Sequence, residues 1–206
     1  MPGLNLQRLE KFQILLKTHG FDCYLACTSI SMGYLAGFFE GGGERMLFMA
    51  IPQEGDPVMI VPALSATHAK HTGIKDIRTW NDGEDAGFLF EQLANEWNLR
   101  TSVIAVDDEL LSAHLLRLQT ALPAALFKAG GDIMAELRKQ KDAKELSLMK
   151  KAAEIAEDAF SDFVDALKPG VSEMELQQVI LQGMMKRGGV PTFCIVAGGV
   201  NGAEPH

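Results

Sequence analysis

The sequence predicts an α/β fold: a mixed sheet flanked by helices, followed by a segment dominated by long helices. Three observations predict it. Short apolar, β-rich runs alternate with helical periodicities over residues 1–130, the pattern of a sheet covered by helices. A Gly130-Gly131 pair then interrupts the alternation. Beyond it, apolar residues recur at three- and four-residue steps for many turns, the signature of a single-faced helix.

Each element follows from local chemistry. Asn5 can cap a helix carrying Leu6, Leu9, Phe12 and Leu16 at helical spacing, and Gly20 ends it. "DCYLA" is a short buried strand, and "SISMGYLAG" a short helix closed by Gly37. "RMLFMAIP" and "PVMIVP" are β-rich runs joined by "QEGD", a hairpin-type connection. Ala63 to His71 reads as helix, Ile77 to Trp80 as strand, and Asp85 to Asn98 as helix. "SVIAVD" reads as a buried strand, Ser112 to Gln119 as a serine-capped helix, and "AALFKA" as a last strand. After the glycine pair, Leu146, Met149, Ala153, Ala156, Phe160, Phe163 and Leu167 line one face of a long helix ended by Lys168-Pro169-Gly170. Ser172 and Glu175 form a capping box that starts the next helix. "TFCIVA" is then expected as a strand leading into the loop "AGGVNGAEPH". The expected division is residues 1–130 and 131–206, with few strands in the second part to close a core.

Composition excludes several classes. A formal charge of −8 argues against nucleic acid or an anionic membrane as partner. No run approaches the ~20 apolar residues of a membrane-spanning helix. Cys23, Cys27 and Cys194 are sparse and odd in number. With no signal-peptide pattern ahead of them, they read as reduced thiols of a cytoplasmic protein, with Cys23 and Cys27 packed in a core.

Several motifs invite functional readings that the residues do not sustain. Gly41-Gly42-Gly43 has no Lys-Ser/Thr behind it and reads as a flexible turn rather than a phosphate loop. Glu44 and Arg45 beside it read as a solvated edge. His68 and His71 share a helical face, but no carboxylate or thiol at helical spacing completes a metal set, so they read as an exposed pair. His19 suits a helix C-terminus, and His114 has no evident partner. Asp107-Asp108-Glu109 reads as a charged strand-to-helix turn. Arg138, Lys141, Lys144, Glu145, Lys150 and Lys151 decorate the long helix, with i,i+4 support from Lys141 to Glu145. Asp158, Asp162 and Asp165 read as its polar face.

The second part also carries a family resemblance. "LRKQKDAKELSLMKKAAEIAEDAF", "LKPGVSEMEL" and "FCIVAGGVNGAEPH" follow in order, with Arg138, Lys141 and Glu145, then Gly170-x-Ser172-Glu173-x-Glu175, then Gly199-x-Asn201 and Pro205-His206. Together they resemble the opening of the catalytic domain of the pita-bread metallopeptidases, in the Xaa-Pro dipeptidase (prolidase), aminopeptidase P and creatinase branch. "YLAGF...ER" and "IPQEGDPVMIVP" resemble the N-terminal domain of the same branch. The resemblance implies a creatinase/prolidase-like α/β domain at 1–130 and an incomplete beginning of an α+β pita-bread domain at 131–206. It implies hydrolysis of Xaa-Pro peptide bonds by a water activated between two divalent metal ions (Mn, Co or Zn). His206 matches a family histidine that borders the active site, handles the substrate and is not a ligand. The five metal ligands of the family, two aspartates, a histidine and two glutamates, fall after that position. The expectation is therefore one catalytic residue, His206, with no metal-binding or cofactor-binding residue here and no activity in this chain alone. The implied partners are a peptide with proline in second position and a second copy of the chain. Three alternatives stay open: a non-catalytic relative that binds peptides or proteins, creatinase-type C–N hydrolysis without metals, and a stand-alone α/β dimerisation domain.

Overall fold

The computed structural model describes residues 3–204. It divides into two compact units, residues 1–140 and 141–206.

The first unit is a six-stranded sheet with helices on both faces. Helices α1 (Leu6–Thr18) and α2 (Ser29–Ala36) flank β1 (Cys23–Ala26) in the chain. Then come β2 (Phe48–Pro52), β3 (Val58–Pro62), α3 (Ala66–Lys70) and β4 (Asp76–Trp80). Helix α4 (Ala86–Glu96), β5 (Val103–Val106), α5 (Ser112–Ala121), β6 (Leu126–Ala129) and α6 (Gly131–Lys139) complete the unit. The strand order is β4-β3-β2-β1-β5-β6. β2 runs antiparallel to both neighbours, pairing Leu25 with Ala50 and Met49 with Met59, while β3/β4, β1/β5 and β5/β6 are parallel.

The central strands read as continuous apolar runs because both sheet faces are covered. Alternate residues of β1 enter different cores. Tyr24 and Ala26 pack with Phe12 and Leu16 of α1, Leu35 of α2 and Met134 of α6. Cys23 and Leu25 pack with Phe90 and Leu93 of α4 and Leu118 of α5. Asn5 caps α1 through its side chain, which accepts the Arg8 N–H at 3.1 Å. Gly37, left-handed at φ 69°, ends α2 as its position predicts. Ser112 does not cap α5: the capping position falls on Leu111, with no side-chain hydrogen bond.

Gly130-Gly131 is not the boundary between units. The backbone N–H of Gly130 donates to the Val106 carbonyl at 2.8 Å, and that of Gly131 to Asp108 at 2.9 Å. A Cβ on Gly130 would lie 2.6 Å from the Tyr24 ring, so the glycine permits a close approach rather than supplying a hinge. Helix α6 starts there and buries Ile133 and Met134 in the first core. The unit consequently ends ten residues later than the glycine pair suggests, at Gln140.

The second unit consists of α7 (Ala143–Ala166), α8 (Glu173–Lys186) and a terminal loop with a 3₁₀ turn at Gly199–Ala203. Asp142 and Glu145 form a capping box at the start of α7. One Glu145 oxygen is thereby directed back to the helix start, and Lys141 lies two residues ahead of the helix. The Ser172–Glu175 capping box forms as predicted. "TFCIVA" is not a strand: residues 191–198 carry no regular structure, and the unit's described residues offer no partner strand. The predicted apolar face of α7 remains largely open, with Leu146, Met149, Phe160 and Leu167 each more than half exposed.

Candidate active site

The terminal loop of the second unit is held by α8. Glu173 is the first residue of that helix, and its backbone follows a cap that Ser172 and Glu175 share. One carboxylate oxygen of Glu173 accepts the Gly198 N–H at 2.6 Å. The other accepts from the Asn201 side-chain amide at 2.9 Å. One turn further along α8, the Gln177 side-chain amide donates to the Cys194 carbonyl at 3.0 Å. Glu175 spends its carboxylate on its own helix, accepting the Ser172 N–H at 2.9 Å, which holds its pKa below the usual carboxylate value. Glu173 and Asn201 both belong to the motifs singled out above, 28 residues apart. His206, the predicted catalytic residue, lies outside the described residues.

The acidic residues of α7 serve α8. Arg187, just past the end of α8, forks onto Asp162 at 2.6 and 3.1 Å and reaches Asp158 at 3.3 Å. The guanidinium holds the Asp162 carboxyl below its ordinary pKa. A Cβ on Gly183 would lie 3.1 Å from Ala159, so the two helices approach closely at this point. Among the described residues no three or more His, Cys, Asp and Glu side chains are grouped to hold a metal ion. The described residues thus do not fit a dinuclear metal site.

The first unit contains polar constellations that the sequence reading underrated. Asp107 is buried rather than solvated, 4% exposed. It accepts from the Cys27 N–H at 2.7 Å, the Thr28 N–H at 2.9 Å, the Ser31 hydroxyl at 2.8 Å and the Tyr24 hydroxyl. It thereby ties the end of β5 to the start of α2. Burial first, and the Asp107 carboxylate second, push the Tyr24 hydroxyl pKa far up and the Cys27 thiol likewise. Burial alone dominates at Cys23, raised to about 12, so these are packed, unreactive thiols. The alternation of β5 points to this placement, since Asp107 is the next position after a buried strand.

His68 is partly buried, with its Nδ1 3.0 Å from Glu40 and its ring 4.5 Å from that of Phe38. Ser65, itself buried, donates to the other Glu40 oxygen. The carboxylate comes from a distant loop, which spacing along one helix could not reveal; His71 stays exposed. The Gly41–Gly43 turn is tethered rather than free. His114 meets the Gly43 carbonyl through Nε2 at 3.2 Å, and Arg45 forks onto Asp82 at 3.1 Å through two nitrogens. His19 is the C-terminal cap of α1, as expected, and it also pairs with Glu136 of α6 at 3.1 Å.

Comparison with known proteins gives this geometry its context. Residues 8–140 match the Creatinase/Prolidase N-terminal domain family. Residues 147–206 match metallopeptidase family M24, a family whose description carries metal dependence. The chain is 30% identical over 211 residues to the Xaa-Pro dipeptidase of Lactobacillus delbrueckii subsp. lactis, covering 96% of this chain and 55% of that protein. A crystal structure of recombinant prolidase from Thermococcus sibiricus superposes with a TM-score of 0.89 at 29% identity, over 98% of this chain and 56% of that one. Dipeptidase PepE from Mycobacterium ulcerans gives 0.86 at 26% identity, over 98% and 54%. The chain thus spans about half the length of the curated relatives it matches. The open face of α7 and the 191–198 segment lie in the part that matches metallopeptidase family M24. By its longer match, the chain belongs to the Creatinase/Prolidase N-terminal domain family, here followed by a segment similar to metallopeptidase family M24.

Proposed function

We propose that the protein containing these residues is a metal-dependent peptidase that hydrolyses Xaa-Pro bonds, in dipeptides or at peptide N-termini. The observation that carries this reading is the succession of the two family matches in one chain, at residues 8–140 and 147–206. The relatives named Xaa-Pro dipeptidase and prolidase support the substrate class. Two divalent ions, Mn, Co or Zn, would be held by residues other than those described. His206 would border that site and donate to the developing tetrahedral oxyanion, a role that requires a donor fixed close to the reacting carbonyl. The first unit would build a homodimer in the cytoplasm, with the tethered Gly41–Arg45 loop near the neighbour's site.

The test uses the full-length gene product. Proline release is measured from a panel of Xaa-Pro dipeptides and matched Xaa-Ala controls, with and without a chelator. Chelator-sensitive release confined to the prolyl substrates is expected. Equal cleavage of the Xaa-Ala controls would remove the proline specificity, and no cleavage of either would favour a peptide-binding relative. Light scattering at micromolar concentration tests the dimer; a monomer there contradicts it.

A further inference from the structure

We propose that Glu173 is a positioning residue for the reaction put forward above, on which this inference rests, acting through the 198–203 turn rather than on the substrate. The two glutamates at the start of α8 have different duties. Glu175 closes its own helix, whereas both oxygens of Glu173 are directed at the terminal loop, onto Gly198 and Asn201. These donors bracket the turn, which is also closed internally by Asn201 N–H to the Gly198 carbonyl at 3.2 Å. Gly199 between them sits at φ +56°, a left-handed conformation that other residues adopt at a cost.

The segment 191–198 pairs with no strand among the described residues, so side chains of α8 take over the anchoring. Gln177 holds Cys194, and Glu173 holds the turn. The capping box makes the anchor rigid, because the Glu173 backbone is fixed by its neighbours on both sides. From this turn the chain runs on through Glu204 to Pro205 and His206. A group that must meet a transition state within a fraction of an ångström depends on such supports.

The pair allows a complementary exchange. In Glu173→Gln one acceptor becomes a donor that faces the Asn201 amide or the Gly198 N–H. In Asn201→Asp two carboxylates oppose each other. In the double variant the new amide oxygen accepts from Gly198 while its NH₂ donates to the new carboxylate. Full-length enzyme and its three variants are compared for kcat and KM on an Xaa-Pro dipeptide, and for amide hydrogen exchange across 198–204. Each single substitution is expected to lower kcat about tenfold with KM within about threefold, because the loss falls on transition-state stabilisation. The double variant should return to within about threefold of wild type, with exchange raised in the singles and restored in the double. Wild-type kcat and exchange in the singles, or a double variant as impaired as they are, would overturn the proposal. A wild-type enzyme that releases no proline would instead refute the functional reading, and the positioning role with it.

Discussion

Replacing Asp107 tests the most loaded polar position of the first unit. Its carboxylate accepts four donors while 4% exposed: two backbone N–H groups of the β1–α2 turn and the hydroxyls of Ser31 and Tyr24. In Asp107→Asn the remaining oxygen can keep Cys27 and Thr28, but the NH₂ group faces the two hydroxyls, which must turn to accept. All four charge-assisted bonds become neutral ones and the two to the hydroxyls must also reverse, so the loss should be about 2 kcal/mol or more. Asp107→Ala strands all four donors and should cost about 4 kcal/mol or more, even if water enters. The assay is urea unfolding followed by tryptophan fluorescence, since both tryptophans, Trp80 and Trp97, lie in the first unit. With m-values of about 1–3 kcal/mol/M, the asparagine variant should unfold about 1 M earlier. If Asp107→Asn stays within about 0.5 kcal/mol of wild type, or Asp107→Ala is no worse than it, the carboxylate does not organise this turn.

Three further outcomes follow from the same contacts. The Tyr24 hydroxyl pKa is raised in the folded state above its ordinary 10.0, so the unfolded chain releases that proton first. Stability should be full below pH 10 and fall above it, with a shallower alkaline decline in Tyr24→Phe measured by unfolding at stepped pH. The Asp162 carboxyl is lowered by Arg187, so its contribution is present above the unfolded value of 3.8 and lost as pH falls through the still lower folded value. Helical content of wild type and Arg187→Gln should differ above that pH and converge below it. Limited proteolysis should cut at residues 140–142, between α6 and α7, and spare Gly130-Gly131; early cleavage at the glycines would contradict the placement of α6.

Patterns local to the chain were legible in the sequence. The capped starts at Asn5 and Ser172, the stop at Gly37 and the hairpin runs around "QEGD" each depend on residues within a few positions of one another. What escaped were contacts made by distant segments. Nothing near His68 announces Glu40, and nothing near Asp107 announces Tyr24, 83 residues away. Gly130-Gly131 misled because glycine marks both hinges and close approaches, and only the Tyr24 ring separates the two readings. "TFCIVA" has strand composition, yet a strand exists only with a partner, and the described part of the second unit supplies none. In the candidate site, the motif positions Glu173 and Asn201 were visible; their hydrogen bond was not.

In the proposed function, hydrolysis depends on metal ligands that residues 3–204 do not arrange. The direct measurement is made on residues 1–206, expressed alone and verified by intact mass at 22.4 kDa. Metal content and proline release are determined together, with Mn²⁺ or Co²⁺ and an Xaa-Pro dipeptide. A dinuclear site needs several carboxylates to offset and bridge two dications, and no such group is assembled among the described residues. Neither a two-metal complex nor turnover is expected from this material. Proline release by the verified 206-residue chain would contradict that dependence.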